Sequence, residues 1–188
     1  MNIFFLGDIV GKSGRSAVIE NLHNIKKNRS IDFVIVNGEN AAGGFGITGD
    51  ICRSFYQLGA DAITLGNHAW DQRETISYIE RDPKLIRPAN YPVGTPGRGS
   101  GLYEIMDGRK ILVIQVMCRL FMEAIDDPFS SLKTLLEPYR LGANVDAILI
   151  DIHGEASSEK QALGRYVDGK VSLAAGTHTH VPTADHNI

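Results

Sequence analysis

Long apolar runs are missing from this chain of 188 residues. No stretch approaches the ~18 consecutive apolar residues that a membrane-spanning helix needs, so such a span is excluded. The opening Met1-Asn2-Ile3-Phe4-Phe5-Leu6 is too short an apolar run for a secretory signal, and no basic residues precede it. Cysteine is scarce: Cys52 and Cys118 are the only two, too few for a disulfide framework. Both are expected as core thiols, Cys52 in an amphipathic helical pattern and Cys118 after an apolar strand; a reducing cytoplasm is the expected setting. Positive charge is not in excess either. The formal net charge is −3, so no basic field invites duplex DNA or a membrane surface. A small nucleotide is still admissible as a substrate, because a metal neutralises its phosphate locally. Internal repeats, low-complexity tracts and linkers are absent. What is present is an ordinary globular composition, 43% hydrophobic and 22% charged, which suits one domain with a sizeable core.

Apolar runs at Ile3–Leu6, Phe33–Val36, Ala62–Leu65 and Ala147–Ile150 read as buried strands, with a further strand over Val171–Ala174. Between them lie helical patterns: Val18, Ile19, Leu22 and Ile25 after a Gly7–Gly14 loop, then a helix from a Thr48 cap to about Leu58 that Gly59 ends. Arg73–Arg81, Ser130–Tyr139 and Ser157–Leu163 also read as helices. Residues 87–101, with three prolines and four glycines, form a long loop. Leu102–Met106 and Lys110–Val116 flank Asp107-Gly108, a hairpin signal. The βαβαβ rhythm of the first half predicts an α/β fold with a mixed, mainly parallel sheet.

The chemistry-bearing residues collect at the predicted strand ends. Asp8 follows the first strand, Glu39 and Asn40 the second, Asn67 and His68 the third. His153 follows the strand ending at Ile150, and His178 and His180 the last. In an open α/β sheet, ligands bind outside the carboxyl ends of the strands, and this O/N donor mix is that of a metal site. Each residue alone has a plainer reading. Asp8 is either a hard-donor ligand or a helix cap. Glu39 and Asn40 are either ligands or a loop carboxylate beside a turn-forming Asn. Of Asn67 and His68, one suits a metal and the other the substrate. Trp70 suits packing, and Asp71 either orients the His68 ring or caps the next helix. His178 and His180, two apart on an extended segment, project to one side. His23 and His186 receive no role. Gly7-Asp8-Ile9-Val10-Gly11-Lys12-Ser13 fails as a phosphate-binding P-loop, because Leu6 stands where that motif needs glycine.

Taken in order, these segments resemble the metallophosphoesterase (calcineurin-like) superfamily, with its early strand-end Asp, later Gly-Asn-His and late His-x-His. The likeness is closer to a bacterial branch, the YmdB-type 2′,3′-cyclic-nucleotide phosphodiesterases. The shared motifs stand here at Gly7–Gly11, Asn37–Ala42, Gly66–Asp71, Arg87–Asn90, His153–Lys160 and Gly176–Val181. The superfamily's Asp-x-His is replaced by Asp8-Ile9-Val10, and the branch recruits Asn40 instead. The resemblance implies a layered α/β/α fold and a single domain over residues 1–188. It also implies that the family's C-terminal strands are missing, and the strand edge this leaves exposed favours a homo-oligomer. It implies two metal ions (Mn, Fe or Zn), one held by Asp8, Glu39, Asn40 and His180 and the other by Glu39, Asn67, His153 and His178, with Glu39 bridging. His68 is left to act on the substrate. The implied reaction is hydrolysis of a phosphodiester, with 2′,3′-cyclic nucleotides the favoured class. A hydroxide between two cations would attack in line, and His68 would assist the leaving group. The alternative is a non-catalytic regulatory protein that binds a nucleotide or metal in the same pocket. A dinucleotide-binding fold is disfavoured, because no proper Gly-x-Gly-x-x-Gly follows the first strand.

Overall fold

The central strands are buried on both of their faces, and that decides the architecture. The computed structural model describes residues 1–188. In chain order its elements are β1 (Ile3–Leu6), α1 (Gly11–Asn28), β2 (Phe33–Asn37), α2 (Gly49–Gln57), β3 (Ala62–Thr64), α3 (Thr75–Tyr78), β4 (Leu85–Ile86), β5 (Ser100–Glu104), β6 (Lys110–Met117), α4 (Pro128–Leu136), β7 (Ala147–His153), α5 (Ser157–Tyr166) and β8 (Leu173–Thr177). They form two four-stranded sheets, ordered β1-β2-β3-β4 and β5-β6-β7-β8. Every neighbouring pair is parallel except β5 with β6. The fold is thus α/β and mainly parallel, as expected, but the strands are shared between two sheets instead of one central sheet.

The reason lies in the period of two along each strand. Val34 and Val36 of β2 pack with Val18, Leu22, Cys52 and Phe55 of α1 and α2. Phe33 and Ile35, on the other face, pack with Ile111 and Val113 of β6 and Ala147 and Leu149 of β7. In the second sheet Ile148, Ile150 and Ile152 meet Leu132 and Leu136 of α4 and Leu163 of α5. Helices cover the outer face of each sheet, and the inner faces pack on each other. Cys52 and Cys118 are free and buried, as expected.

Several boundaries follow from local chemistry. Thr48 caps α2, its Oγ1 accepting from Ile51 N at 3.3 Å, and Gly59 takes the left-handed φ of 104° just beyond. Asp127 caps α4 by accepting from Phe129 N and Ser130 N, each at 3.1 Å. Helix α1 starts at Gly11, inside the expected loop. Helix α3 keeps only four residues of the expected Arg73–Arg81. There, Glu74 Oε1 accepts from Gly49 N at 2.8 Å and Thr75 Oγ1 donates to Ile47 O at 2.7 Å, which ties the segment to the start of α2. The short β4 has no counterpart in the sequence reading. In the 87–101 loop the buried Arg87 guanidinium donates to the carbonyls of Pro88, Thr95, Pro96 and Gly97. No helix is long and apolar enough to cross a membrane.

Candidate metal centre

At the carboxyl ends of the strands, the layer between the sheets turns from apolar to polar. The facing positions become Asn37, Thr64, Gln115, Asp151, His153 and Thr177, all buried. His153 is the last residue of β7 and does not lie past it, because the strand runs on through Asp151. The sequence reading ended this strand at Ile150, where the apolar run stops. The backbone pairing continues, since Asp151 and His153 pair with β6 and β8.

Two adjoining sets of donors stand above this layer. In the inner set, Glu39, His153 and His178 each offer a ligand atom within 4.8 Å of the others. Asn67 joins them, its Oδ1 2.9 Å from His153 Nε2. In the outer set, His180 Nε2 lies 3.2 Å from Asn40 Oδ1 and 3.7 Å from Asp8 Oδ1. The sets touch where His178 N donates to the Asp8 carboxylate at 3.1 Å. All seven residues expected as ligands therefore converge.

One expectation about them fails. His178 and His180 are not on an extended segment: β8 ends at Thr177, and the two have φ of 94° and 55°. Positive φ is uncommon for a residue with a side chain and is held only where surroundings impose it. The twist separates the rings, so that His178 joins the inner set and His180 the outer.

Electrostatics set the inner group apart. Burial alone would raise the Glu39 carboxyl, but the His153 ring and the His68 N–H outweigh it and hold the pKa below the ordinary value. For His153, burial works to lower the pKa, while Glu39, Asp151 and Asp8 more than compensate and raise it. Burial and the neighbouring His153 push His178 down, favouring its neutral form. The His153 and His178 rings meet edge to face, 4.9 Å between centroids.

These residues fit a cation on two structural grounds. Glu39 Oε1 is buried with no hydrogen-bond donor, although His153 Nε2 lies 3.0 Å away. An orphaned carboxylate oxygen is costly unless something positive completes it. Gly66 leaves the space: a Cβ there would collide with Glu39 Oε2 and His153 Nε2.

His68 stands at the rim. Its backbone N–H donates to Glu39 Oε2 at 3.0 Å, and its Nδ1 lies 2.6 Å from Asp71 Oδ2. Asp71 therefore orients the ring, which settles the choice left open for that residue. Trp70 packs edge-on against Tyr91, 5.8 Å between centroids. The sequence reading assigned no role to Phe45, Asp151 or Thr177. Phe45 is 60% exposed, yet its ring stands edge-on to His68 at 5.1 Å. An aromatic among Gly43, Gly44 and Gly46 was the available signal. For Asp151 the signal was a carboxylate inside an otherwise apolar run, two residues before a histidine.

Residues 4–188 match the family described as YmdB-like protein. The chain is 47% identical over 188 residues to a Bacillus subtilis protein named 2′,3′-cyclic-nucleotide 2′-phosphodiesterase, covering all of this chain and 70% of that one. It is 34% identical to a Mycoplasma genitalium protein named putative phosphatase/phosphodiesterase MG246, of which it covers 67%. Among solved structures, a hypothetical protein from Thermus thermophilus superposes with a TM-score of 0.92 at 44% identity, over 100% of this chain and 71% of that one. A Mycoplasma pneumoniae protein described as a novel phosphatase superposes with a TM-score of 0.86 at 34% identity, over 97% and 66% of the respective chains. With its length matched almost end to end, this chain belongs to the YmdB-like protein family.

Proposed function

We propose that the chain is a metal-dependent phosphodiesterase that hydrolyses 2′,3′-cyclic nucleotides, breaking the bond to the 2′ oxygen and leaving the phosphate on the 3′ oxygen. The observation that carries this reading is the pair of adjoining donor sets with His68 at their edge. Asp8, Asn40 and His180 would hold one cation, Asn67, His153 and His178 a second, and Glu39 would bridge. Bound cations would neutralise the phosphate charge and act as Lewis acids on its oxygens; Mn, Fe and Zn all suit this donor set.

The chain's own residues supply the rest. Asp71 holds Nδ1 of His68, which leaves Nε2 as the atom facing the substrate. A proton at Nε2 passes to the departing 2′ oxygen, an effect worth ~10²–10⁴-fold for a well-placed general acid. The Phe45 ring, next to His68 and open to solvent, offers a stacking face for the base. The buried sheet ends hold the ligating side chains in place before substrate arrives. Residues 1–188 serve as a single metallophosphoesterase domain, and the outer strand β8 offers an edge for self-association.

The test is hydrolysis of 2′,3′-cyclic nucleotides by metal-depleted protein with and without added manganese. The reading expects activity that returns with metal and collapses in Asp8→Ala and Asn67→Ala. Tight nucleotide binding by metal-replete protein without turnover would instead make it a regulatory binder.

A further inference from the structure

Asp151 lies inside β7 and is fully buried, yet none of the chemistry above uses it. Its carboxylate receives four hydrogen bonds, two from each sheet. Three converge on Oδ2: Thr64 Oγ1 at 2.6 Å, Gln115 Nε2 at 2.9 Å and Asn37 Nδ2 at 3.1 Å. The fourth, from Thr177 Oγ1, reaches Oδ1 at 2.6 Å. Burial raises the carboxyl pKa, and the His153 ring, then the Thr177 and Thr64 hydroxyls, oppose that only in part; the geometry, four donors directed at two oxygens, is that of the unprotonated carboxylate. The donors that hold Asp151 also hold its surroundings. Asn37 and Gln115 both donate to Leu65 O, beside Gly66 and Asn67, and Asn37 Oδ1 accepts from Glu39 N at 3.2 Å.

The arrangement has a consequence for His153. A threonine hydroxyl has one hydrogen, and Thr177 directs it to Asp151. Toward His153 Nδ1, 2.9 Å away, Thr177 therefore presents only a lone pair. Nδ1 makes a hydrogen bond there only if it carries a proton. The lone pair available for a cation is then the one on Nε2, the atom that faces Glu39 and Asn67. A partner behind a ligating histidine fixes both its tautomer and its orientation.

We propose that Asp151 and Thr177 are positioning residues, a two-step relay that keeps the proton of His153 on Nδ1 and commits Nε2 to the metal. The relay rests on the reading of His153 as a ligand. It also explains a buried carboxylate amid apolar strand: an uncompensated acid there would be costly, whereas this one sets the direction of a ring.

Asp151→Asn makes a sharp test. Three donors surround the Oδ2 position, so the amide oxygen goes there and the amide NH₂ faces Thr177. Thr177 then accepts from the amide and turns its own hydrogen to Nδ1. In 15N spectra of metal-free protein, His153 Nδ1 moves from the protonated to the unprotonated range. Zinc affinity by chelator competition falls ~10–100-fold. Thr177→Val removes the acceptor while leaving the three Oδ2 bonds. It abolishes the slowly exchanging Nδ1–H signal and weakens zinc similarly, and Thr177→Ser restores both. Should Asp151→Asn fail to fold, the Val and Ser variants decide alone. A His153 Nδ1 that stays protonated in Asp151→Asn, or a slowly exchanging Nδ1–H that survives Thr177→Val, overturns the relay. A changed Nδ1 with wild-type zinc affinity throughout overturns His153 as a ligand instead, so the two failures are distinguishable.

Discussion

The layer between the sheets has two ends built on opposite principles. Toward the amino ends of the strands it consists of Phe33, Ile35, Ala62, Ile86, Ile111, Val113, Ala147 and Leu149. Toward the carboxyl ends of the same strands the facing positions become Asn37, Thr64, Gln115, Asp151 and His153, equally buried. The first end stabilises by removing carbon from water, ~25 cal/mol for each Å². The second costs free energy for every polar group left unpaired. Its side chains are paired nearly throughout, and the exception, Glu39 Oε1, is where a cation fits. One strand can thus stabilise the fold with its first residues and hold a reactive site with its last. The rigidity of the first end is what makes the second worth its cost.

The comparison breaks most visibly at Glu39. Glu39→Gln removes the charge shared by both donor sets. Metal content by elemental analysis should drop, and activity should fall by more than the ~100-fold that partners behind a ligand are worth. His68→Ala should lose ~10²–10⁴-fold in turnover while metal content stays at the wild-type level; metal loss in that variant would make His68 a ligand. His178→Ala and His180→Ala should both deplete metal, the inner His178 more than the half-exposed His180, and equal metal content in all three proteins would remove the pair from the ligand set. Phe45→Ala should raise KM for cyclic nucleotides ~10-fold, as loss of one stacking contact does, with little change in kcat. At the apolar end, Ile35→Val should cost ~0.5–1.5 kcal/mol in denaturant unfolding and leave metal affinity untouched. A change in affinity there would show that the two ends are not separable.

Acid and base sharpen the same contrast. The lowered Glu39 pKa contributes stability above its unfolded value of ~4.3, and that stability disappears as pH falls through the folded value. The raised His153 pKa contributes stability that is complete below ~6.5 and lost as pH rises through the folded value. Metal-free protein should therefore gain most from this pair at ~pH 4.3–6.5. Thermal unfolding with a chelator present should show that gain fading on the alkaline side. Added manganese, which competes with the His153 proton, should restore stability there.

Much of this was legible residue by residue. Strand-end placement singled out eight residues, the family resemblance named seven of them as candidate ligands, and those seven converge. Local signals held where local chemistry governs: Thr48 caps its helix, Gly59 ends it, and Asp107-Gly108 turns the hairpin of β5 and β6. Errors came where distant partners decide. The expected Arg73–Arg81 helix shrank because Glu74 and Thr75 bond to the start of α2. Strand β7 outran its apolar run because Thr64, Gln115, Asn37 and Thr177 satisfy Asp151. His178 and His180 departed from extended geometry where the His178 N–H donates to the carboxylate of Asp8, at the far end of the chain.

Periodicity and strand-end placement, both local properties of the chain, were enough to determine the α/β class and to gather the candidate donors at one end of the strands; the family resemblance chose among them. Tertiary structure decided that the strands form two facing sheets, that the histidine pair leaves extended geometry for left-handed backbone, and that a buried aspartate governs a ring nitrogen. Each of those outcomes depends on groups far apart in sequence meeting in a space with no water to satisfy them, and so it becomes fixed only when the two sheets close on each other.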